Sequence, residues 1–402
     1  MSVADKIRES LSRSSWIRKM FEEGDRLRQL HGPDHVYDFT LGNPDLDPPD
    51  CVTKRLRALT QDPVPGMHKY MSNAGYPETR RAIALHVGRQ AGLALTEHHV
   101  VMTVGAGGGL NVVLKTILNP GDEVIANAPY FVEYGFYAGN HQGNLVVVKT
   151  RPDFQLDIAA IAGAITPRTR AVLINSPNNP TGVVYPVRAL RALAEILRQK
   201  EGEFGSTIYL ISDEPYAALV YDGVRVPPIL GIFEHGILVT SHSKDLALPG
   251  ERIGYIAIHP AIPEAGLLFD GLVFANRILG FVNAPALMQR LITDLQGESV
   301  GIEVYQERRD LLCSHLVKLG FDLVKPQGAF YLFPRSPIPD DVAFIQAAAK
   351  YNLLLVPGSG FGSPGYFRIA YCVPKQLILS SFPAFEKVAK EFGLKPGGTG
   401  QA

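Results

Sequence analysis

The stretch TSHSKDLALPGERIGY, residues 240–255, sets Lys244 among Ser241, His242 and Ser243 and follows it eight positions later with Arg252. A solvated lysine needs no such company. A lysine buried beside an apolar strand behaves differently: its pKa falls, and the free amine becomes a nucleophile that can condense with a carbonyl. Four further polar clusters close apolar runs. VGAGGGLN brings Gly105, Ala106 and Gly107 to the start of a helix-like run, where bare amides favour a phosphate. A tight turn explains a lone glycine-rich loop equally well. Leu110 stands where a dinucleotide fingerprint needs its third glycine, and no Gly-Lys-Ser/Thr follows, so a single terminal phosphate is the oxyanion that would suit it. NSPNNPTG (175–182) is turn chemistry that offers Asn178 and Asn179 as amide donors, and APYF presents Phe131. SDEPY puts Asp213 at the end of the apolar run IYLI, where an acid is costly unless a cation or a hydrogen-bonded ring nitrogen meets it. Taken singly, a helix cap accounts for Asp213 and core packing for Tyr216.

The elements that position these clusters read as alternating strands and helices. Strand-like runs are HVVMTVGA, DEVIANAP, NLVVVKT, TRAVLINSP, STIYLISDEP, GILVTSHSK and RIGYIAIHP, with helical runs such as GGGLNVVLKTIL and VRALRALAEILRQK between them. This alternation predicts an α/β fold with a mostly parallel sheet. In such sheets ligands lie beyond the carboxyl ends of the strands, and the clusters above are those ends. Together they call for a ligand with a phosphate, a ring nitrogen, a phenolic oxygen and an aldehyde. Pyridoxal 5′-phosphate carries all four. Beyond about Pro285 longer helical runs precede the short strands GAFYLFP and YFRIAYC, the texture of a smaller α+β unit. The run DKIRESLSRSSWIRKMFEEGDRLRQLHG near the start predicts a helix, and KPGGTGQA a frayed tail.

The composition excludes several classes. Lys+Arg and Asp+Glu are both 39, so no basic excess points to nucleic acid. Three separated cysteines, Cys51, Cys313 and Cys372, argue against a disulfide framework and a cysteine-rich metal site. No apolar run is long enough to span a bilayer, and the charged N-terminus is unlike a secretory signal, so a cytoplasmic protein without membrane or metal is expected.

From LGNPDL to FRIAY the chain resembles the class I/II aminotransferases of the fold-type I pyridoxal-phosphate enzymes. SHSKDLALPGERIGY carries the likeness most specifically, with NNPTG, DEPY and FRIA in family order. The resemblance implies a large domain with a mostly parallel sheet sandwiched by helices (46–285). The smaller α+β domain is built from the C-terminal part (286–402) and the N-terminal segment (1–45). It implies that Lys244 holds the cofactor covalently and moves the substrate proton, and that Asp213 pairs with the ring nitrogen. Asn179 and Tyr216 bond the ring oxygen, and Phe131 stacks on the ring. Ala106, Gly107, Ser241, Ser243 and Arg252 bind the phosphate. Arg368 clamps the substrate α-carboxylate, with Asn179 beside it, and Gly42 and Asn43 close over the substrate. Tyr70 reaches the phosphate of a neighbouring subunit, so a homodimer with shared sites is expected. The Ala128–Pro129 and Asn179–Pro180 bonds resemble family positions that are cis. The implied reaction is ping-pong transfer of an amino group between an L-amino acid and a 2-oxo acid. Ile278, next to Arg277, and Gly107 occupy positions where relatives that prefer acidic substrates often carry a cation, so a neutral amino donor is expected. A fold-type I lyase acting at Cβ or Cγ uses the same cofactor chemistry. A cofactor-binding regulatory module would need a DNA-binding domain, and only about 35 residues precede the fold.

Overall fold

The computed structural model describes residues 2–13, 24, 26–29, 32, 35–63 and 65–395. A short strand β1 (Tyr37–Asp38) precedes β2 (Val100–Thr103), β3 (Glu123–Ala128), β4 (Asn144–Lys149), β5 (Thr169–Asn175), β6 (Tyr209–Asp213), β7 (Gly236–Ser241) and β8 (Gly254–Ile258). β2 to β8 form one sheet in the order β2-β8-β7-β6-β5-β3-β4. Every pairing is parallel except those of β8, which runs antiparallel to β2 and to β7. The predicted α/β class and mostly parallel sheet are therefore observed.

Successive side chains of a strand point to opposite faces. Met102, Ile125, Val172, Leu210 and Leu238 join one core, while Val101, Val124, Leu173, Ile211 and Val239 join another. Both faces are covered, which is why the central strands read as unbroken apolar runs. Only β4, at one edge, keeps exposed residues. Helices Gly105–Ile117 and Val187–Phe204 match sequence-predicted runs, and Pro77–Ala91 and Glu133–Asn140 join them. The helices Asp50–Gln61, Ile158–Ala164 and Ala265–Ile278 were not singled out by the sequence patterns.

A second core joins Phe39 and the segment Tyr216, Leu219 and Tyr221 to residues from Val300 onward, including Tyr305, Leu312, Phe330, Phe344, Ile369 and Phe385. Its strands are β9 (Tyr331–Leu332), β10 (Leu353–Leu354), β11 (Val356–Pro357) and β12 (Phe367–Ala370). β12 lies antiparallel between β11 and β9, while β1 pairs with β10. The segment after β1 is held there by Phe39 N donating to Leu354 O and Ala370 N donating to Phe39 O, which carries Thr40–Gly42 toward the large sheet. The helix Ala286–Ile292 packs with the first core through Met288, Leu291 and Ile292, and Gln289 Oε1 accepts from Tyr76 N at 2.8 Å. Its apolar stripe finds the helices Asp50–Gln61 and Pro77–Ala91 rather than the second core. Of the long N-terminal helix, Asp5–Arg13 is helical and residues 14–23 lie outside the described residues, as does the tail from 396. Among the described residues no helix is long and apolar enough to cross a membrane.

Candidate active site

The carboxyl ends of β5, β6 and β7 lie side by side, with Asn175 opposite Asp213 and Asp213 opposite Val239. The antiparallel β8 starts where β2 and β7 finish: Gly254 is opposite both Thr103 and Ser241. Its direction therefore returns Arg252 to the end of the sheet where the glycine-rich turn and the serines are. A parallel strand there would have its carboxyl end at that place. The cavity above these ends encloses about 380 Å3. Gly42, Ala106, Gly107, Phe131, Asn179, Asp213, Tyr216, Ser241, Ser243, Lys244, Arg252 and Arg368, all singled out by sequence, line it together.

Lys244 Nζ donates to Gly42 O at 2.7 Å and lies over the rings of Phe330 and Tyr216 at 5.3 and 5.9 Å. Burial is the main cause that brings its pKa down to about 8, well below that of a solvated lysine. Asp213 Oδ2 accepts from Tyr134 Oη at 2.6 Å, and Oδ1 is buried without a partner. Burial pushes this carboxyl up to about 7, against the Tyr134 hydrogen bond, which lowers it. An acid in this condition is complementary to a cation.

At the other end of the cavity Ser241 Oγ donates to Ser243 Oγ at 3.0 Å. The helix Gly105–Ile117 begins there with no side chain capping its first amides. Gly105 has φ +68°, and a Cβ on it would fall 2.6 Å from Arg252 Nη2, so only glycine admits the guanidinium. Arg252 Nη1 also donates to Pro249 O at 2.9 Å. Arg368, on β12, bridges the two cores: Nη1 donates to Asn179 Oδ1 at 3.1 Å and Nη2 to Thr40 O at 2.6 Å, while its Nε is buried without a partner. Its guanidinium lies over Tyr331 and Phe361 at 4.7 and 4.8 Å. The Asn179 loop is tied down by Asn175, whose Oδ1 accepts from Asn179 N at 2.6 Å and whose Nδ2 donates to Asp213 O at 2.8 Å. Ala128–Pro129 and Asn179–Pro180 are cis as expected, and so is Ser176–Pro177.

Other candidates fall outside the cavity. Asn43 is exposed and does not line it, and Tyr70 is 89% exposed on the outer surface. Arg277 and Ile278 are also exposed and outside. In turn, the cavity contains Asn175, Glu133, Tyr137 and Tyr331, and Tyr134 stands behind Asp213, none singled out by sequence. Asn175 was detectable, being a polar residue closing an apolar strand as Asp213 does. Tyr331 was not: in GAFYLFP it reads as core, yet its hydroxyl shares a 2.8 Å hydrogen bond with Tyr216. A Cβ on Gly42 would fall 1.9 Å from Tyr331 Oη, so this glycine is what lets the segment after β1 lie over the site.

The residues fit pyridoxal 5′-phosphate: a buried carboxylate oxygen that lacks a partner, a guanidinium packed on Gly105, uncapped helix amides, two hydroxyls and a half-buried amine share one cavity. Comparisons agree. The family model for aminotransferase class I and II matches residues 34–379. A Thermus aquaticus protein named probable aspartate/prephenate aminotransferase is 37% identical over 354 residues, covering 86% of this chain and 90% of the relative. The crystal structure of an amino transferase from Eubacterium rectale is similar at TM-score 0.94 and 38% identity, covering 98% of this chain and 99% of that one. Aspartate aminotransferase from Thermus thermophilus with maleate is similar at TM-score 0.85 and 30% identity, covering 96% and 100%. Family match, fold and a site that fits the cofactor agree: the chain belongs to the class I and II aminotransferases and is a pyridoxal-phosphate-dependent enzyme that exchanges an amino group between an amino acid and a 2-oxo acid.

Proposed function

We propose that this transamination runs on the constellation around Lys244, Asp213 and Arg368. When bound, the cofactor supplies an aldehyde for the amino group and a ring that takes up the electron pair released at Cα. The low-pKa amine of Lys244 would hold that aldehyde and would serve to move the proton at the substrate Cα. Asp213, held by Tyr134, offers its unpartnered Oδ1 to the ring nitrogen and favours the protonated ring. Asn179 and Tyr216, which line the same cavity, would bond the ring oxygen, and Phe131 would cover the ring face. Ala106, Gly107, Ser241, Ser243 and Arg252 form the phosphate end. Arg368, its fork spread by Asn179 and Thr40, takes the α-carboxylate. The segment Gly42–Asn43 is the cover over the substrate. The single observation that carries this reading is Asp213: a wholly buried carboxyl with one oxygen unpartnered, in the same cavity as a buried lysine.

The enzyme's working unit is a homodimer in this reading. Tyr70 is held out from the surface by a scaffold of amides: Asn283 Nδ2 donates to Ser72 O at 2.8 Å, Asn276 Nδ2 to Asn73 O at 3.0 Å and Asn73 Nδ2 to Val282 O at 2.9 Å. The helix carrying Asn276 exposes Leu267, Phe274 and Ile278, seven and four residues apart and so on one face. A rigidly presented tyrosine beside an exposed apolar face suits a hydroxyl that completes a partner's phosphate site across a two-fold axis. The packing supports a division in which the second unit begins near Val300 and takes up the segment around Phe39. Spectral conversion of the bound cofactor by an amino-acid panel tests the function. Pyridoxamine formation supports transamination, whereas pyruvate or ammonia released in its place would mark a lyase.

A further inference from the structure

With the phosphate assigned to Arg252 and the α-carboxylate to Arg368, what remains in the cavity wall decides the substrate side chain. The cations lining the cavity are Lys244, Arg252 and Arg368, and all three are committed. Arg277 lies outside the cavity of its own subunit, and Gly107 contributes no side chain. The one charged lining residue left beside Asp213 is an acid, Glu133, at the start of the helix Glu133–Asn140. Its Oε2 is buried and has no hydrogen-bond partner. The neighbouring lining residues are the apolar Val132 and Phe131 and the hydroxyl-bearing Tyr137. Among the described residues no ion pair neutralises it. Burial pushes this carboxyl up, and its own backbone amide and the charge of Arg368 pull it down.

We propose that Glu133 is the specificity residue of this aminotransferase: it turns away amino acids with a second carboxylate and selects a neutral side chain that ends in a hydrogen-bond donor. The inference rests on the roles given above to Arg252 and Arg368. A distal carboxylate placed in this cavity would meet a like charge in a medium that screens poorly, with no uncommitted cation of the same subunit lining the cavity to receive it. An amide or hydroxyl instead donates to the orphaned oxygen, which a purely apolar side chain would leave unsatisfied. The substrate class is thus monocarboxylic, with side chains such as those of glutamine, asparagine or serine.

Isosteric pairs isolate the effect. The first half-reaction is followed by the absorbance of the bound cofactor with glutamine against glutamate, asparagine against aspartate, and leucine as the apolar control. In the wild-type holoenzyme kcat/KM is expected to favour each amide over its acid by about tenfold or more, with leucine below asparagine. Glu133→Gln should shrink the amide-to-acid ratio by about tenfold, chiefly through KM for the acids, and Glu133→Ser should act in the same direction. A binding arm needs no variant and no turnover: succinamate should bind the wild-type holoenzyme about tenfold more tightly than succinate by calorimetry. Acids converted as well as amides, equal binding of the two ligands, or a ratio unmoved in both variants would overturn the role of Glu133 while leaving transamination intact. Failure of every amino acid to convert the cofactor would overturn the site assignment and this inference with it.

Discussion

Replacing Asp213 by asparagine separates what this residue costs the fold from what it does for the reaction. In the protein stripped of cofactor, burial raises the carboxyl from 3.8 to about 7. Between those values the folded chain keeps a proton that the unfolded chain has lost. Stability therefore falls as pH rises from about 4 to about 7 and is flat above. About three pH units at 1.36 kcal/mol each put the cost of the ionised group near 4 kcal/mol at pH 8. Asparagine cannot ionise, yet it keeps an oxygen for Tyr134 Oη. Stripped Asp213→Asn should accordingly gain on stripped wild type as pH rises, by about 3 kcal/mol between pH 5 and pH 8. With cofactor bound, a cationic ring nitrogen would pair with Oδ1, and the wild-type slope should vanish. The variant's half-reaction should be slowed by roughly 3 kcal/mol, about a hundredfold, the scale of a lost electrostatic stabiliser. Urea unfolding at the two pH values and single-turnover absorbance measure both effects. A stability gap that does not change with pH, or near-normal turnover in the variant, would refute the reasoning.

Other substitutions test the remaining roles. Borohydride reduction of the holoenzyme followed by peptide mapping should place the pyridoxyl group on Lys244, and cofactor uptake by the stripped protein should quicken as pH rises through about 8, where burial has brought this amine; a label on another lysine would end the assignment. Arg368→Ala should raise KM for every amino acid while the bound-cofactor absorbance persists, whereas Arg252→Ala should weaken cofactor retention; the reverse pattern would exchange their roles. Mixing inactive Lys244→Ala with an inactive Tyr70→Ala protein under subunit exchange should restore activity, up to about half of wild type per hybrid dimer, because one site then holds both residues; exchange without recovery, or an active monomer on sedimentation, would remove Tyr70 from the site.

What the sequence by itself determined was the set of strand ends and the chemistry waiting there. Glycine, proline, asparagine and buried-acid signals are local: they report how the backbone turns and what an apolar strand tolerates at its end, so Lys244, Asp213, Asn179 and the Gly105–Gly107 turn were legible without a fold. Tertiary structure alone decided which of these side chains meet, and with what. Arg252 joins the glycine-rich turn because β8 runs against its neighbours, a direction that an apolar run does not encode. Thr40 and Arg368 touch across 328 residues of chain. Tyr134, Tyr331 and Glu133 read as ordinary helix and strand residues until packing turns a hydroxyl toward Asp213, another toward Tyr216, and an acid into the cavity. The helix Ala286–Ile292 has an apolar stripe that either core could have taken. The physical reason is the same in each case: periodicity and turn chemistry specify a residue's own backbone and its burial, whereas the partner of a buried polar group is chosen by the close packing of elements far apart in the chain.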